Sequence, residues 1–384
     1  MPVPLLDLNA QNLALEHELK AAFERVLRSG MFIQGKEVTS FEESIAKFTG
    51  AKHAIGVSSG TDAILLALMA AGIGTGDEVL CPTFTFFATA GCVVRVGATP
   101  VFVDAEPSTF NLDVTKLESL VTPRTKAIIP VHLFGQCAAM EAVLAFAEKH
   151  RLLVIEDAAQ SLGATYRGKQ AGTIGQFGTY SFFPSKNLGG FGDGGMLVSN
   201  DDALAEKARL LRTHGAKPKY YHKLVGGNFR LDALQAALLS VKLPRYDDYT
   251  RQRQENAAYY SAELSKLAGV AVATGTDAEG TKLVLPTALP GNGHIWNQYT
   301  LRVRGAGRRD AMRTLLEERK IGSEIYYPVP MHSQECFRSY GLRPGDLPVA
   351  QLLSGEALSI PIYPELKRKQ QDEVVDALRD FLRA

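Results

Sequence analysis

The hydrophobic positions at the start of the chain recur with the period of an α-helix. From about Leu13 to Arg28 the apolar side chains share one face, and Gly30 is placed to end the segment. A second segment near Thr39 to Thr49 has the same pattern. The repeat predicts two amphipathic helices before the first strand.

Between His53 and Asp157, short apolar runs alternate with helical patterns. The helical patterns cover Asp62 to Ala71, Thr85 to Val96 and Met140 to His150, and the apolar runs are HAIGV, EVLCP, PVFVD, AIIPVHL and LLVIED. Strands this apolar have no face for water, so the alternation predicts an α/β fold with a mostly parallel sheet between helices. In such sheets ligands bind beyond the carboxyl ends of the strands.

A long helical pattern from about Asp232 to Tyr260 is broken at Pro244, and we expect a domain boundary close to this break. The prediction is an N-terminal helix within residues 1–30 that packs on the small domain, a large domain over 31–245, and a small α+β domain over 246–384. In the small domain, WNQYTLRVR and IGSEIYYPV are predicted strands on either side of a helix. The stretch from Thr274 to Lys282 is a predicted surface loop.

Composition and charge exclude several classes of protein. The chain has 384 residues, and 42 Lys and Arg balance 41 Asp and Glu, which does not favour nucleic-acid binding. The four cysteines form no CxxC and the eight histidines no HExxH, so no disulfide framework or metal site is predicted. The chain has no leader-like start and no apolar run of about eighteen residues, so we expect a cytoplasmic protein outside the membrane.

The motif SSGTDA, Ser58 to Ala63, follows the strand HAIGV and opens a helix. Small residues let the backbone approach a ligand, and the free amides and dipole of a helix start favour a phosphate. An ordinary strand-to-helix turn capped by Thr61 or Asp62 is an equally good interpretation of this motif alone.

Asp157 ends the apolar run LLVIED, in the zone where a parallel sheet binds ligands. A buried carboxylate needs a cationic or hydrogen-bonding partner, and a protonated pyridine nitrogen is one such partner. Capping of the next helix or pairing with an arginine is the commoner role of an aspartate at a strand end.

Lys186 lies in YSFFPSKNLGGFGDGG, after an apolar run and before five glycines between Gly189 and Gly195. A lysine that forms an imine needs a partly deprotonated, rigidly held amine, which a desolvated turn supplies. A lone loop lysine is ordinarily solvated surface. The order of phosphate turn, strand-end aspartate and lysine gives the three motifs more weight together than each has alone.

The combined motifs resemble the DegT/DnrJ/EryC1/StrS sugar aminotransferases, which belong to fold type I of the pyridoxal 5′-phosphate (PLP) enzymes. The resemblance covers nearly the whole chain, and the matching segments are LLDL, FxQGKEV, SSGTDA, PTFTFFATA, EDAAQS, SFFPSKNLG, GDGG, GGNFRLDALQAA and YYPVPMHSQ. It implies a large domain with a mostly parallel sheet of about seven strands between helices, and a smaller C-terminal α+β domain.

The resemblance also implies the cofactor contacts. Lys186 would hold PLP as a Schiff base, Asp157 would pair with the pyridinium nitrogen, and Gln160 would touch the ring or its phenolic oxygen. The phosphate would be bound by Gly60, Thr61 and Ser181, and by Asn228 from the neighbouring subunit. Phe86 is the expected stacking aromatic, with Phe84 as the alternative because both project to the same side of an extended segment.

Three residues are implied to contact the substrate. Arg230, in GGNFRLD, would bind a uronate carboxylate or the sugar diphosphate, and a surface arginine is its alternative interpretation. Tyr327 and His332 match positions near the sugar, and a satisfied loop histidine is an equally good interpretation of His332. The resemblance implies a homodimer with shared active sites.

The implied reaction is transamination with L-glutamate as donor, through the pyridoxamine phosphate form of the cofactor, to a nucleotide-linked keto sugar. The RLDALQAA run is more similar to members that aminate carbon 3, with UDP-2-acetamido-3-keto-glucuronate or dTDP-3-keto-6-deoxyhexose as candidate substrates. The product would be an amino sugar for a surface polysaccharide or a glycosylated metabolite. The alternatives are a carbon-4 aminotransferase, a PLP-dependent sugar dehydratase and a regulator without enzymatic activity.

Overall fold

The computed structural model describes residues 2–273, 279–343 and 345–383. Much of the loop predicted at Thr274 to Lys282 lies outside these residues. The strands are β1 (His53–Val57), β2 (Glu78–Pro82), β3 (Thr99–Val103), β4 (Thr125–Ile128), β5 (Leu153–Asp157), β6 (Thr165–Tyr166), β7 (Lys169–Gln170), β8 (Phe177–Ser181), β9 (Gly195–Ser199), β10 (Val270–Val272), β11 (Leu283–Leu285), β12 (Asn292–Gly293), β13 (Tyr299–Val303) and β14 (Ala357–Ile360).

The α-helices are α1 (Leu8–Leu13), α2 (Glu16–Ser29), α3 (Lys36–Thr49), α4 (Gly60–Ala71), α5 (Ala88–Arg95), α6 (Met140–His150), α7 (Asp202–Leu211), α8 (Ala233–Lys242), α9 (Tyr246–Leu264), α10 (Arg308–Glu318), α11 (Pro348–Glu356) and α12 (Arg368–Arg383). Short 3-10 helices cover Val114–Ser119, Leu133–Gly135, Leu243–Arg245, Met331–Ser333 and Glu335–Tyr340.

The large sheet has seven strands in the order β1-β9-β8-β5-β4-β2-β3. Strands β3, β2, β4, β5 and β8 run parallel to one another, and β9 is antiparallel to both of its neighbours. Every residue of β2 and of β9 is buried, because helices cover both faces of the sheet. The predicted mostly parallel sheet of fold type I is confirmed.

The N-terminal helix does not pack where the sequence analysis placed it. Helix α2 packs against α8, and its buried residues Leu19, Ala22 and Val26 join the core cluster of the large domain. The small domain instead receives the segment before α1, where Val3 is buried and forms a bridge with Ile321. An amphipathic face specifies an apolar neighbour without specifying which one.

The C-terminal part of the chain has its own four-stranded sheet, in the order β10-β11-β13-β14. Helices α9, α10 and α12 contribute to its core. The predicted strand IGSEIYYPV is wrong, because this segment forms only isolated bridges at Ile321 and Glu324. The boundary near residue 245 stays a prediction, although α8 and α9 meet there across a single 3-10 turn.

The carboxyl ends of three strands of the large sheet meet at one edge. Asp157 ends β5 and pairs in register with Thr179 of β8, which itself ends at Ser181. Helix α4 begins three residues after the end of β1. This edge therefore brings the phosphate turn, the aspartate and the approach to Lys186 together. Among the described residues, no helix combines the length and apolar character needed to span a membrane.

Candidate active site

The start of helix α4 forms the first wall of a cleft at the sheet edge. The N-cap is Ser59, whose hydroxyl accepts a hydrogen bond of 3.0 Å from the amide of Asp62. The cap is therefore neither Thr61 nor Asp62, the two residues proposed from sequence. Because the first amides of a helix have no partner one turn earlier, Gly60 and Thr61 are left to donate to an anion.

A close contact fixes the residue type at position 60. A Cβ atom on Gly60 would lie 2.8 Å from the Cβ of Ser181, which is shorter than van der Waals contact. The absence of a side chain lets the helix start approach the end of β8. The hydroxyl of Ser181 is thereby placed beside the free amides of the turn, and all three residues line the cleft.

Asp157 lies at the floor of the cleft and is buried. Its carboxylate accepts hydrogen bonds from the hydroxyl of Thr89 at 2.8 Å and from the amide of Ala159 at 3.2 Å. Burial raises the pKa of Asp157, while these two donors and nearby Lys186 lower it. A further cationic partner in the cleft would therefore stabilise the ionised carboxylate.

Lys186 enters the same cleft from the loop between β8 and β9. Its amide donates to the carbonyl of Phe183 at 2.8 Å, which closes a tight turn under the side chain. Burial lowers the pKa of the Lys186 amine to about 8, against the attraction of Asp157. An amine with this pKa is partly neutral near physiological pH, as imine formation and proton transfer require.

The structure separates the two candidate stacking aromatics. Phe86 lines the cleft and is 58% exposed, whereas Phe84 is 1% exposed and packs on Phe110 and Tyr327. The chain turns into helix α5 directly after this segment, so the two rings end in different surroundings. Phe86 is therefore the ring available to a planar ligand, and stacking by it remains a proposal.

Gln160 joins the large domain to the segment after Ile321. Its Oε1 accepts a hydrogen bond of 2.7 Å from the amide of Phe134, and its Nε2 donates to the hydroxyl of Tyr327 at 3.1 Å. Burial raises the pKa of Tyr327, so this hydroxyl stays protonated. Both side chains line the cleft, and their predicted contacts with the cofactor ring and with the substrate remain predictions.

A buried pair behind Asp157 was missed from the sequence. The Nε2 of His132 is 2.8 Å from Oε2 of Glu156, and the same carboxylate accepts hydrogen bonds from the amides of Gly172, Ile174 and Gly175. The backbone amide of His132 donates to the carbonyl of Asp157 at 3.0 Å. The pair holds the end of β5 in place. The one sequence signal that could have suggested it is Glu156, which precedes Asp157 in LLVIED.

Three other predicted site residues lie away from the lining of the cleft in the single chain. Asn228 is exposed and forms a bridge with Thr213, and Arg230 is half-buried beside Val57. His332 is buried, and its Nδ1 is 2.7 Å from the hydroxyl of Thr83. Their roles in binding remain predictions.

The cleft has a volume of about 570 Å³, ample for a ligand the size of PLP. Its lining combines an anion-binding helix start, a buried carboxylate, an amine with a lowered pKa and an exposed aromatic ring. Because position 60 is a glycine, the phosphate turn carries no side chain there that would clash with Ser181. These residues fit a phosphorylated pyridine aldehyde.

The comparison with protein families shows which family the chain belongs to. Residues 14–379 match the DegT/DnrJ/EryC1/StrS aminotransferase family. The chain belongs to this family. The aminotransferase therefore uses PLP, and the cleft described above fits that cofactor.

Individual relatives of the aminotransferase are similar over its full length. It is 50% identical over 383 residues to the pleiotropic regulatory protein of Geobacillus stearothermophilus, covering 100% of the chain and 99% of that protein. It is 41% identical over 380 residues to the UDP-N-acetyl-3-dehydro-α-D-glucosamine 3-aminotransferase of Acidithiobacillus ferrooxidans, covering 99% of the chain and 98% of that protein. Among solved structures, S. venezuelae DesV superposes with a TM-score of 0.93 at 40% identity, covering 100% of the chain and 99% of DesV.

Proposed function

We propose that this aminotransferase moves the amino group of L-glutamate to carbon 3 of a nucleotide-linked keto sugar. The observation that carries the proposal is the convergence of Lys186 and Asp157 in one cleft beside the start of α4. When bound, PLP supplies an electron sink that stabilises negative charge on the carbon that carries the amine.

Lys186 would both hold the cofactor and move a proton. Its amine, with a pKa near 8, would accept the proton from the α-carbon of glutamate and pass it to the cofactor within the first half-reaction, and in the second it would move a proton from the cofactor to carbon 3 of the sugar. Asp157 would hold the ring nitrogen protonated, and the hydroxyl of Thr89 would keep Asp157 ionised. Gly60, Thr61 and Ser181 would bind the phosphate, and Phe86 would cover one face of the ring.

The carbon-3 assignment rests on the RLDALQAA run and on the similarity to the A. ferrooxidans enzyme, which is named for 3-amination. For the sugar, we propose either a uronate bound through Arg230 or a neutral 3-keto sugar. Arginine binds a carboxylate through two parallel hydrogen bonds, which makes Arg230 the residue that distinguishes the two.

We also propose that the active form is a homodimer with shared sites. Asn228 and Arg230 do not line the cleft of their own chain, and the preceding segment exposes Tyr220, Tyr221 and Val225 to 78%, 70% and 92%. A neighbouring copy would cover these apolar side chains and receive the two polar ones. The four cysteines are all free, as suits the cytoplasm, where we place the enzyme.

The experiment is a panel of keto-sugar nucleotides offered to the purified holoenzyme with L-glutamate. It includes UDP-linked 3-keto-N-acetylglucosamine, the corresponding uronate, dTDP-3-keto-6-deoxyhexose and a 4-keto sugar. We expect 2-oxoglutarate and an amino sugar from at least one 3-keto substrate, and neither from Lys186→Met. Amination of the 4-keto sugar alone would contradict the carbon-3 assignment, and a deoxy sugar formed without amination would indicate a dehydratase.

A variant of Arg230 separates the two classes of sugar. If a uronate is the substrate, Arg230→Met should raise its KM about 10- to 100-fold, since a charge-assisted hydrogen bond contributes roughly 1.5–3 kcal/mol. The KM for a neutral 3-keto sugar should change much less. Equal effects on both sugars would assign Arg230 to the diphosphate instead.

A further inference from the structure

A buried lysine outside the cleft has no role in the reaction described so far. Lys242, the last residue of α8, is 1% exposed. Its amine donates a hydrogen bond of 2.8 Å to the carbonyl of Gly189 and lies 4.9 Å from the centre of the Phe191 ring. In the described part of the chain, no carboxylate lies within ion-pair distance of this amine.

Retaining an ammonium group in this position is costly. Burial lowers the pKa of Lys242 to about 8, and the more distant Glu365 opposes the shift. A methionine or leucine would fill similar space without the desolvation cost. The compensating contacts of Lys242 are with one carbonyl and one aromatic face, and both belong to the same loop.

That loop is the one that carries Lys186. Gly189 follows Lys186 by three residues, and a Cβ atom on Gly189 would lie 2.1 Å from the carbonyl oxygen of Pro184. The loop is closed at its base, where the amide of Gly190 donates to the carbonyl of Phe182 at 2.8 Å. A loop this tight transmits a displacement at Gly189 to the turn under Lys186.

Helix α8 holds the loop at a second point. The amide of Phe191 donates to Oε1 of Gln235 at 2.8 Å. Gln235 and Lys242 are seven residues apart, so two turns of α8 place them on the same face of the helix. The two side chains therefore act on the loop from one rigid element.

We propose that Lys242, assisted by Gln235, is a positioning residue that sets the place of Lys186 in the cleft. The inference rests on the proposed role of Lys186. Lys242 does not line the cleft, and it acts by fixing the Gly189 carbonyl and the Phe191 ring. Reaction rates depend steeply on the placement of the reacting group, so a loosened loop lowers turnover without weakening sugar binding.

The test uses holoenzyme of Lys242→Met, with Gln235→Met as a milder variant that removes only the second contact. For Lys242→Met we expect kcat about 10-fold lower, KM within about twofold, and PLP dissociation about 10-fold faster when followed by absorbance. For Gln235→Met the same changes should be about threefold. Asn256→Ala is the control, because Asn256 is a buried polar residue that donates to the carbonyl of Tyr363 in the small domain.

The control should lower the melting temperature and leave kcat and PLP dissociation unchanged. The inference is overturned if the Lys242 and Gln235 variants behave like the control, or if Lys242→Met cannot be folded and Gln235→Met has wild-type rates. Borohydride reduction of the wild-type holoenzyme separates this failure from that of the proposed function. A label on a lysine other than Lys186 contradicts the proposed function itself.

Discussion

The hydroxyl of Thr89 donates a hydrogen bond of 2.8 Å to Oδ2 of Asp157. Both groups are buried, and the contact joins the first turn of α5 to the end of β5. Burial raises the pKa of Asp157. This hydrogen bond and the one from the amide of Ala159 oppose that shift by stabilising the ionised carboxylate. Thr89 thereby lowers the pKa of the residue that would face the cofactor nitrogen.

Thr89→Val keeps the shape of the side chain and removes the donor. The pKa of Asp157 should rise, so the carboxylate becomes protonated at a higher pH and the acidic limb of the kcat profile moves upward. A hydrogen bond to a charged group contributes roughly 1.5–3 kcal/mol, so kcat on that acidic limb should fall about 10-fold or more, while kcat on the plateau should change little. Thr89→Ser retains the hydroxyl and should keep the wild-type limb. An unchanged limb in Thr89→Val would remove Thr89 from this role.

Because burial lowers the pKa of Lys186, the free energy of unfolding of the cofactor-free protein should depend on pH. The folded pKa is about 8 and the ordinary pKa of a lysine is 10.5, so between these values the unfolded chain binds the proton that the folded chain has lost. The free energy of unfolding should therefore rise with pH from 8 to 10.5. Lys186→Met lacks this dependence and should be more stable at pH 7 by roughly 3 kcal/mol, with the difference vanishing above pH 10.5. Urea denaturation across this range measures it, and parallel curves would contradict the shift.

Gly60→Ala should damage the phosphate turn. The new Cβ would meet the Cβ of Ser181 at 2.8 Å, and overpacking of this kind costs about 1–3 kcal/mol. Because α4 must move away from β8, we expect the Kd for PLP to rise about 10-fold, measured by fluorescence titration. Gly355→Ala is the matched control, since position 355 lies in α11 with no atom within 4 Å of the added Cβ. Equal PLP affinity in both variants would contradict the account of the turn.

Tyr327→Phe tests the contact between Gln160 and the C-terminal part of the chain. The change removes the hydroxyl that accepts a 3.1 Å hydrogen bond from Nε2 of Gln160. With that donor left without this partner, the free energy of unfolding should fall by about 1 kcal/mol. Tyr326→Phe removes a neighbouring hydroxyl that is not bonded to Gln160 and should cost less. A smaller loss for Tyr327→Phe than for Tyr326→Phe in urea denaturation would contradict this contact.

The sequence predicts well those elements whose pattern depends on local chemistry. The strand EVLCP and the helix Met140–His150 have the predicted bounds, because a short apolar run and a periodic run leave few alternatives. The placement of α2 on the large domain was not predictable in this way. Its apolar face suits either domain, and the choice depends on α8, which lies some two hundred residues later.

The same limit applies to the site. Asp157 and Lys186 could be proposed because one ends a buried strand and the other precedes a glycine run. Thr89 and Lys242 could not, because a threonine or a lysine in a helix has the same local pattern whether it faces water or a buried partner. Their contacts arise from packing between elements distant in sequence.

The proposed reaction and the proposed role of Lys242 both depend on Lys186 as the residue that carries the cofactor in this cleft. Borohydride reduction of the holoenzyme fixes PLP to the lysine that holds it, and peptide mass mapping then identifies that lysine. If Lys186 holds PLP, a single phosphopyridoxyl group is expected on the peptide containing Lys186, and none in Lys186→Met. A phosphopyridoxyl group on any other lysine of the wild-type enzyme would contradict it.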